Sequence, residues 1–520
     1  MMVDERDKNR RIARNIAANL VYQAVSIAAG LIIPRLYLTG FGSEINGLIA
    51  TIKQVFAYLA LMETGMSMTA SQALYRPVAL GQTDKINGIL SAVNRYYRRV
   101  GLMYGGIVLL FALAYPAVTR VGLPKQTTAL IILIYGFPSV LSFCVHGKFQ
   151  MLIDAEGKSY MLAGFQSALE LTVNAVRIVL LLFSDNLVLI QAYYCIGPIA
   201  RCVFVMGYAR KHYPWLNMRA KSDQAAVSQK NAAFVHQAAG MILSNTDAIL
   251  LSIFCDFKVV SVYAIYQMLL SHIERLITAV SSGATFRLGQ MFHTDRQTYT
   301  RWHDLYETLY LTGAFTLYTM AALYALPVVR LYTAGIGDAN YAEPALPLLF
   351  AAANLLSSGR QPAMQTIQFA GRFRQTQRHA VLEAAINAAI SVAAAARWGI
   401  TGCLLGTIAA AAYRVAVSSR YANRRILRRT SRQTLRRWLV NGAVFALLMA
   451  VWGGREGEAG GALCLIGRMA ATGIAVFAAY AAANFASEWR TFAFLRHAVI
   501  FRGRKSGEFI SPTDNESHRK

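Results

Sequence analysis

The chain has 520 residues, of which 55% are apolar and 15% charged, and its mean hydropathy is +0.37. Soluble proteins carry about 25% charged residues, so this composition excludes a disordered chain and argues against an ordinary soluble enzyme. The 52 Lys and Arg residues against 26 Asp and Glu give a net charge of +26. A basic balance is common among nucleic-acid-binding proteins, but those proteins do not devote half of the chain to aliphatic runs. The composition predicts a membrane protein without a nucleic-acid partner.

Apolar runs of about 20 residues are long enough to cross a bilayer as helices. The chain contains fourteen such runs, separated by charged residues, glycine or proline. They lie near 15–38, 45–70, 100–119, 127–147, 161–183, 187–208, 232–254, 259–286, 305–329, 344–369, 379–396, 400–418, 438–452 and 461–486. The predicted fold class is all-α: a polytopic membrane protein of about 14 transmembrane helices.

The basic residues test this division independently. Of the 52 Lys and Arg residues, 38 lie in the segments on the side of the two termini, 6 in the loops on the opposite side and 8 inside spans. Basic residues concentrate in cytoplasmic loops. The pattern therefore predicts a multi-pass protein of the plasma membrane whose N- and C-termini are both cytoplasmic.

A weak internal repeat suggests how the helices are grouped. At an offset of 214 residues, Val21, Gln23 and Ala24 of helix one fall on Val235, Gln237 and Ala238 of helix seven, a match that chance could also produce in so apolar a chain. Transporters are often built from such repeats. We predict two six-helix lobes resembling multidrug exporters, 1–208 and 232–418, joined by a basic cytoplasmic linker, 209–231. A basic loop with helices 13 and 14 (419–486) and a cytoplasmic tail (487–520) follow.

Signatures of catalysis and of cofactors are missing from the sequence. The six cysteines lie in or at the ends of spans without a Cys-x-x-Cys pair, which indicates neither disulfides nor zinc. The chain carries no Walker A sequence and no dinucleotide fingerprint. The opposite loops are too short for the outer domains of membrane glycosyltransferases. We therefore predict a transporter and not an enzyme, with no cofactor and no metal centre.

The most informative residues are charges inside the spans, because each costs about 2.5–3.5 kcal/mol at a helix centre unless it is paired or hydrated. Basic residues outnumber acidic ones there, which indicates a water-filled cavity that attracts an anion. The candidate ligand-binding cations are Arg35, Lys53, Arg275 and Arg360. Arg35 also lies where it can snorkel to headgroups, and Arg360 where it can anchor a cytoplasmic helix end. Both interpretations stay open at this stage.

Acidic and polar residues inside the spans form a second candidate group. Asp247 lies deep in helix seven within Asn245-Thr-Asp247, and Glu63 lies late in helix two. Asp247, Glu63 and Asn245 are candidates either for pairing with a cavity cation or for binding a coupling cation such as H⁺ or Na⁺.

Short motifs in a fixed order resemble a known family. They are Pro34-Arg35, Glu63-Thr-Gly-Met66, Leu74-Tyr-Arg-Pro77, Asp84-Lys85, Tyr96-Tyr97-Arg98, Ala155-Glu-Gly-Lys158-Ser-Tyr160, Asn245-Thr-Asp247 and Val262-Tyr-Ala264. On a fourteen-helix frame over residues 12–425, this set resembles the polysaccharide (Wzx-type) flippases of the multidrug/oligosaccharidyl-lipid/polysaccharide (MOP) exporter superfamily.

The resemblance implies a function in the bacterial plasma membrane. Members of that family move undecaprenyl-pyrophosphate-linked oligosaccharide to the outer leaflet by alternating access, for O-antigen, capsule or exopolysaccharide synthesis. The implied partners are the lipid-linked glycan, membrane lipids, and the polymerase and glycosyltransferases of the same pathway. Related lipid II flippases carry cavity cations on helices one, two and eight, where Arg35, Lys53 and Arg275 lie here. The alternatives are a lipid II flippase and, disfavoured by the basic surplus, a cation-coupled multidrug antiporter.

Overall fold

The computed structural model describes residues 5–119, 121–156, 158–223, 246–453, 461–489 and 491–493. Throughout these residues the regular secondary structure is helical. The helices are α1 (Glu5–Ala79), α2 (Thr83–Val118), α3 (Lys125–Leu141), α4 (Gly147–Ala155), α5 (Ser159–Phe183), α6 (Leu187–Tyr194), α7 (Ile196–His212), α8 (246–254), α9 (Phe257–Thr294), α10 (Arg296–Tyr332), α11 (Leu346–Gly359), α12 (Gln361–Phe369), α13 (Phe373–Tyr421), α14 (Arg432–Trp452) and α15 (Ala462–Ser487). Short π-helical turns at Ser142–His146 and Ala422–Ile426 follow α3 and α13.

The predicted spans fall on helices wherever the structure describes them. Among the described residues, seven helices are long and apolar enough to cross a membrane, including the long segment Gln375–Ile426, which holds two of the predicted spans. The first part of the seventh span, 232–245, lies outside the described residues. The protein is an all-helical, multi-pass membrane protein, which confirms the predicted fold class.

Helices α1 and α13 each contain two predicted spans joined at a glycine. The backbone of Gly42 has φ +80°, and that of Gly399 has φ +51°, both in the left-handed region that favours glycine. The two arms of α13 then pack closely, because a Cβ atom on Gly402 would overlap Ala394 and one on Gly406 would overlap Ser391. Glycine thus permits both the reversal and the close contact that follows it.

The predicted cytoplasmic segment 75–99 is mostly helical. Helix α1 continues to Ala79, the chain turns at Gly81 with φ +62°, and α2 begins at Thr83. The extension is stable because Ile86 and Leu90 are buried in the apolar core of the N-terminal helices. Hydrophobicity predicted where the chain enters the membrane, but it did not predict where each helix begins.

The chain divides into two compact units. Unit 1 comprises residues 1–268, 329–343 and 380–410, and unit 2 comprises residues 269–328, 344–379 and 411–520. Unit 1 contains a large core built from α1 to α7, in which Leu48, Tyr97 and Ile131 are fully buried. The predicted lobes 1–208 and 232–418 follow the repeat along the chain and stay a prediction.

A buried ion cluster in unit 2 fastens the two C-terminal helices. The guanidinium of Arg437 on α14 is 1% exposed and pairs with Asp304, Glu307 and Glu488; its contacts with Asp304 and Glu488 are 3.0 and 3.2 Å long. Arg429 pairs with Asp304 at 2.8 Å. Burial would by itself raise the pKa of the Glu488 carboxyl, but Arg436 and Arg437 lower it below its usual value. Glu488 therefore stays ionised, and the cluster ties α14 and the end of α15 to the start of α10.

One part of this cluster has the geometry of a metal site. Ligand atoms of His303, Asp304 and Glu307 lie within 4.8 Å of one another. However, Arg429 already donates to the carboxylate of Asp304, and Arg437 donates to the carboxylates of both Asp304 and Glu307. A cation at this point would face two guanidinium groups, so we interpret these residues as an ion-pair network and not as a metal centre.

We predict that Arg437→Ala strongly destabilises the protein, because it leaves the buried carboxylate of Glu307 without its partner. Removing one member of a buried pair costs about 3–5 kcal/mol. Arg436→Ala is the matched control: its side chain is 52% exposed, and exposed pairs contribute about 1 kcal/mol or less. Thermal unfolding of the detergent-purified variants measures the difference. Equal melting temperatures for the two variants would contradict the structural role of Arg437.

Candidate functional site

A hydrogen-bonded network in unit 1 connects the hinge of α1 with the start of α9 and with the loop after α10. The Oγ atom of Ser43 and its backbone N–H both donate to the carboxylate of Asp338. Tyr341 Oη lies 2.7 Å from Ser43 Oγ and 2.8 Å from Ser261 Oγ, which accepts from Asn46 Nδ2 at 2.8 Å. We call these five residues the Asp338 network. In the predicted topology it lies at the non-cytoplasmic end of the helices.

The charge of Asp338 belongs to this network. Partial burial would raise the pKa of its carboxyl, but the hydrogen bonds from Ser43 and the nearby Lys258 ammonium lower it below the usual value. The network therefore forms around a carboxylate and is lost only when the pH falls through that lowered pKa.

Beside the network, α1 touches α9 without an intervening side chain. A Cβ atom on Gly47 would overlap the backbone carbonyl of Phe257. The backbones can approach this closely only because residue 47 is glycine. Asn46 and Ser261 flank this contact, so the glycine brings their side chains within hydrogen-bond distance.

Arg35 lies next to the same loop. Its Nη2 atom donates to the carbonyl of Ala334 at 3.4 Å, and its guanidinium carbon is 5.9 Å from the centre of the Tyr332 ring. Its Nη1 atom is buried and has no hydrogen-bond partner among the described residues. Arg35 therefore packs against protein groups and retains one donor for a further contact.

Lys53 has an exposed side chain although it lies inside a predicted span. The guanidinium of Arg177 repels its ammonium. Both cations belong to unit 1. An exposed lysine that is repelled by a neighbouring cation is suited to binding an anion.

Arg177 is a buried cation that is stabilised by tyrosines. Its Nη2 atom donates to Tyr37 Oη at 2.9 Å, and its guanidinium carbon lies 5.2 Å from the Tyr37 ring and 5.4 Å from the Tyr194 ring. Gln191 Nε2 donates to the same hydroxyl at 3.1 Å. Glu170, seven residues earlier on the same helix, accepts from Gln166 Nε2 at 2.8 Å.

The other two candidate cations lie in unit 2. Arg275 is exposed on α9, beside exposed Glu274. Arg360 joins α11 to α12, and its charge and that of Glu274 both act on the hydroxyl of Tyr310. The structure thus places Arg35 and Lys53 in one unit and Arg275 and Arg360 in the other.

Asp247 on α8 is the centre of a buried polar group in unit 1. Its Oδ2 atom accepts from Tyr263 Oη at 3.0 Å and from Thr407 Oγ1 at 3.3 Å, and Asn387 Nδ2 donates to Thr407 Oγ1 at 2.9 Å. Ser391 lies one turn after Asn387 and is fully buried. Among the residues that the structure describes, nothing donates to Oδ1 of Asp247 or to Oδ1 of Asn387. These oxygens are the kind of ligand that hard cations prefer.

Two predicted site residues, Asn245 and the side chain of Glu63, lie outside the described residues. Asn387, which donates to Thr407 beside Asp247, was not predicted as part of the site, although the sequence carries a signal for it. Polar residues recur every four positions in the Ala-rich helix α13, as Glu383, Asn387 and Ser391, and this spacing places them on one face.

Comparison by sequence gives no relative: the chain matches no family model and no curated protein. Comparison by structure gives matches to solved proteins. The lipid II flippase MurJ in an inward closed conformation aligns with a TM-score of 0.70 and 14% identity, covering 90% of this chain and 99% of MurJ. This chain has the fold of the MOP transporters. At such identity the likeness establishes the fold alone.

Two further MOP transporters support this assignment. An inward-facing multidrug resistance transporter of the MATE family aligns with a TM-score of 0.59 and 11% identity over 77% of this chain and 94% of its own. A MOP transporter from Pyrococcus furiosus, described as having a binding pocket of reverse polarity, aligns with a TM-score of 0.55 and 12% identity over 79% and 94%.

We predict that Gly47→Val separates α1 from α9 and breaks the Asp338 network. Cysteines placed at Ser43 and Asp338 in a background lacking the native cysteines should form a disulfide, since the native side chains are in contact. Gly47→Val should reduce the yield of this crosslink several-fold. Gly40→Val is the matched control, because a Cβ atom there meets nothing within 4 Å. An undiminished crosslink in Gly47→Val would show that the close contact is dispensable.

Proposed function

We propose that this chain is a flippase that moves polyprenyl-pyrophosphate-linked oligosaccharide across the plasma membrane of a bacterium. The observation that carries this proposal is the exposed side chain of Lys53 inside a span, next to the buried guanidinium of Arg177, whose hydrogen-bond and aromatic-ring partners among the described residues are tyrosines. In the proposal an anion supplies the negative charge for these two cations. Neither the pyrophosphate nor the glycan can cross hydrocarbon unaided, whereas the prenyl tail can stay in the lipid.

In this proposal the pyrophosphate binds to Lys53 and Arg35 of unit 1, and Arg275 and Arg360 of unit 2 stay predicted cations for the pyrophosphate or the glycan. Alternating access, in which the non-cytoplasmic end opens and closes around the Asp338 network, then exposes the glycan to the other side. A cargo with two negative charges that moves outward is driven by an inside-negative membrane potential and gains about 4–5 kcal/mol per 100 mV. The membrane potential is therefore a sufficient driving force without ATP.

The second candidate is a flippase for lipid II, the cargo named for the structural relative MurJ. Its chemistry is that of the first candidate, a polyprenyl pyrophosphate bearing sugars, and the same cations would bind it. The export of cationic drugs is disfavoured, because Lys53 and Arg177 would repel such a substrate. In either case the partners are membrane lipids and the enzymes that build and polymerise the glycan, with both termini of the chain on the cytoplasmic side.

Lys53→Ala and Arg275→Ala should each reduce transport by about ten- to hundredfold, because a charged hydrogen bond contributes about 1.5–3 kcal/mol. Lys211→Ala, which removes an exposed lysine at the end of α7, should leave transport unchanged. The assay is the accessibility of a lipid-linked glycan to an external lectin in vesicles with reconstituted protein. Unchanged transport in both cavity variants, with normal insertion, would refute the proposed site.

We also propose that Asp247 binds a coupling cation. Its free Oδ1 atom, the free Oδ1 atom of Asn387 and the hydroxyl of Thr407 offer three oxygens within a buried group of unit 1, which suits Na⁺, and the carboxylate by itself can take up H⁺. In this scheme Lys53 and Arg177 neutralise the cargo, and the cation at Asp247 binds and leaves as the protein changes conformation. Transport then depends on the gradient of this cation as well as on the membrane potential.

The expected result is that wild-type transport in vesicles responds to a Na⁺ gradient or to a pH gradient, and that Asp247→Asn abolishes that response. Asp185→Asn is the control, because Asp185 is exposed in the loop after α5. Transport that follows the membrane potential alone, with no effect of either gradient in the wild type, would rule out the coupling role.

A further inference from the structure

A polar cavity lies within the N-terminal helices of unit 1. It has a volume of about 450 Å³ between α3, α5, α6 and α7, within the range of roughly 300–1,000 Å³ that is typical of ligand pockets. The polar side chains that line it include Ser139, Gln166, Glu170, Asn174, Tyr194 and Arg201. We call this cavity the α5 pocket. Of these residues, Tyr194 also contacts Arg177 of the candidate site described above.

The α5 pocket faces the inside of the helix bundle and not the lipid. On α5, Val176 and Val179 are 37% and 51% exposed. At 100° per residue their side lies opposite Gln166, Glu170 and Asn174. The same opposition holds on two other helices. On α7 the exposed residues Ile199 and Val203 lie opposite Arg201, and on α3 the exposed residues Leu133 and Phe137 lie opposite Ser139. Polar groups turned inward at membrane depth must be satisfied by protein, by water or by a ligand.

The lining has the chemistry of a carbohydrate site. Two amides, a carboxylate, a guanidinium and serine hydroxyls provide donors and acceptors for sugar hydroxyls, and the Tyr194 ring offers a flat face for the C–H groups of a sugar ring. Gln166 Nε2 donates to Glu170 at 2.8 Å, while its buried Oε1 atom accepts nothing from the described residues. Arg201 donates to Gln150 at 2.8 Å, which fixes its orientation. Glu170 disfavours a simple anion, and the polar lining disfavours an apolar drug.

The α5 pocket adjoins Arg177 of the candidate site through one shared side chain, that of Tyr194. Tyr194 lines the pocket and also stacks on Arg177, with 5.4 Å between its ring centre and the guanidinium carbon. Asn174 is one turn before Arg177 on α5, and Arg177 repels Lys53. A ligand whose pyrophosphate contacts Lys53 would therefore carry its first sugars toward the pocket.

We infer that the α5 pocket is a subsite for the sugar units next to the pyrophosphate, and that it sets which glycan this protein accepts. This inference rests on the proposed function, since it assumes a lipid-linked glycan as cargo. Each sugar hydroxyl that contacts an amide of the pocket adds affinity that the bare lipid pyrophosphate lacks. Selection thus takes place at a different position from the charge recognition by Lys53.

The test measures binding of four probes to the purified full-length protein. The probes are undecaprenyl pyrophosphate and the same lipid bearing an N-acetylhexosamine, a hexose or a deoxyhexose. At least one sugar-bearing lipid should bind the wild type about tenfold more tightly than the bare lipid. Asn174→Ala and Gln166→Ala should each remove most of this preference while leaving the affinity for undecaprenyl pyrophosphate unchanged. Val179→Ala, on the exposed face of the same helix, should retain the preference.

The outcomes separate the two proposals. Equal binding of all four probes by the wild type would overturn the sugar subsite and leave the flippase proposal standing. A preference that survives in both pocket variants, or an equal loss of all probes in them, would also overturn the subsite. If the wild type bound none of the four lipids, the proposed function itself would fail and the subsite with it.

Discussion

The structure depends on one constraint: a polar or charged side chain inside a span finds no partner in hydrocarbon, so protein or water must supply one. The chain meets this constraint in two ways: Arg177 is held by a tyrosine hydroxyl and two aromatic rings, and Lys53 is exposed. Just before the predicted span 438–452, Arg437 is instead surrounded by carboxylates. In the function that we propose, Arg177 and Lys53 keep positive charge for a ligand and Arg437 does not. The difference between these cations lies in their partners and not in residue type.

Close helix contacts position the groups that meet this constraint. Gly47 lets α1 approach α9, and the reversal at Gly399 lets the arms of α13 pack so that Asn387 lies beside Thr407. Hydrogen bonds between helices in a membrane are short-range and contribute about 1–2 kcal/mol each, so they need backbones that approach closely. A network such as the one around Asp338 can then form and break as a unit, which suits a transporter that changes conformation.

In the function that we propose, charge and shape divide the recognition of a lipid-linked glycan between two neighbouring places. The cations would attract the pyrophosphate, a group common to every cargo of this class, whereas the α5 pocket would offer amides, hydroxyls and a tyrosine ring to the part that differs between cargoes. Arg177 connects the two, because its guanidinium contacts Tyr194 of the pocket and repels Lys53. This division explains how one fold could serve different glycans by changing residues on α5 alone.

The sequence by itself determined an all-helical, multi-pass fold. Its apolar runs and the uneven distribution of Lys and Arg were sufficient for this, because hydrophobicity and charge act on each span separately. The sequence also singled out Asp247 and Lys53, since an isolated charge in an apolar run is visible without a structure. Only the tertiary structure decided the partners: Arg177 binds Tyr37, Asp247 meets Thr407 across 160 residues, and residues of four helices line the α5 pocket. Such contacts join residues far apart in the chain, and their distances follow from how helices pack, which no local pattern of residues specifies.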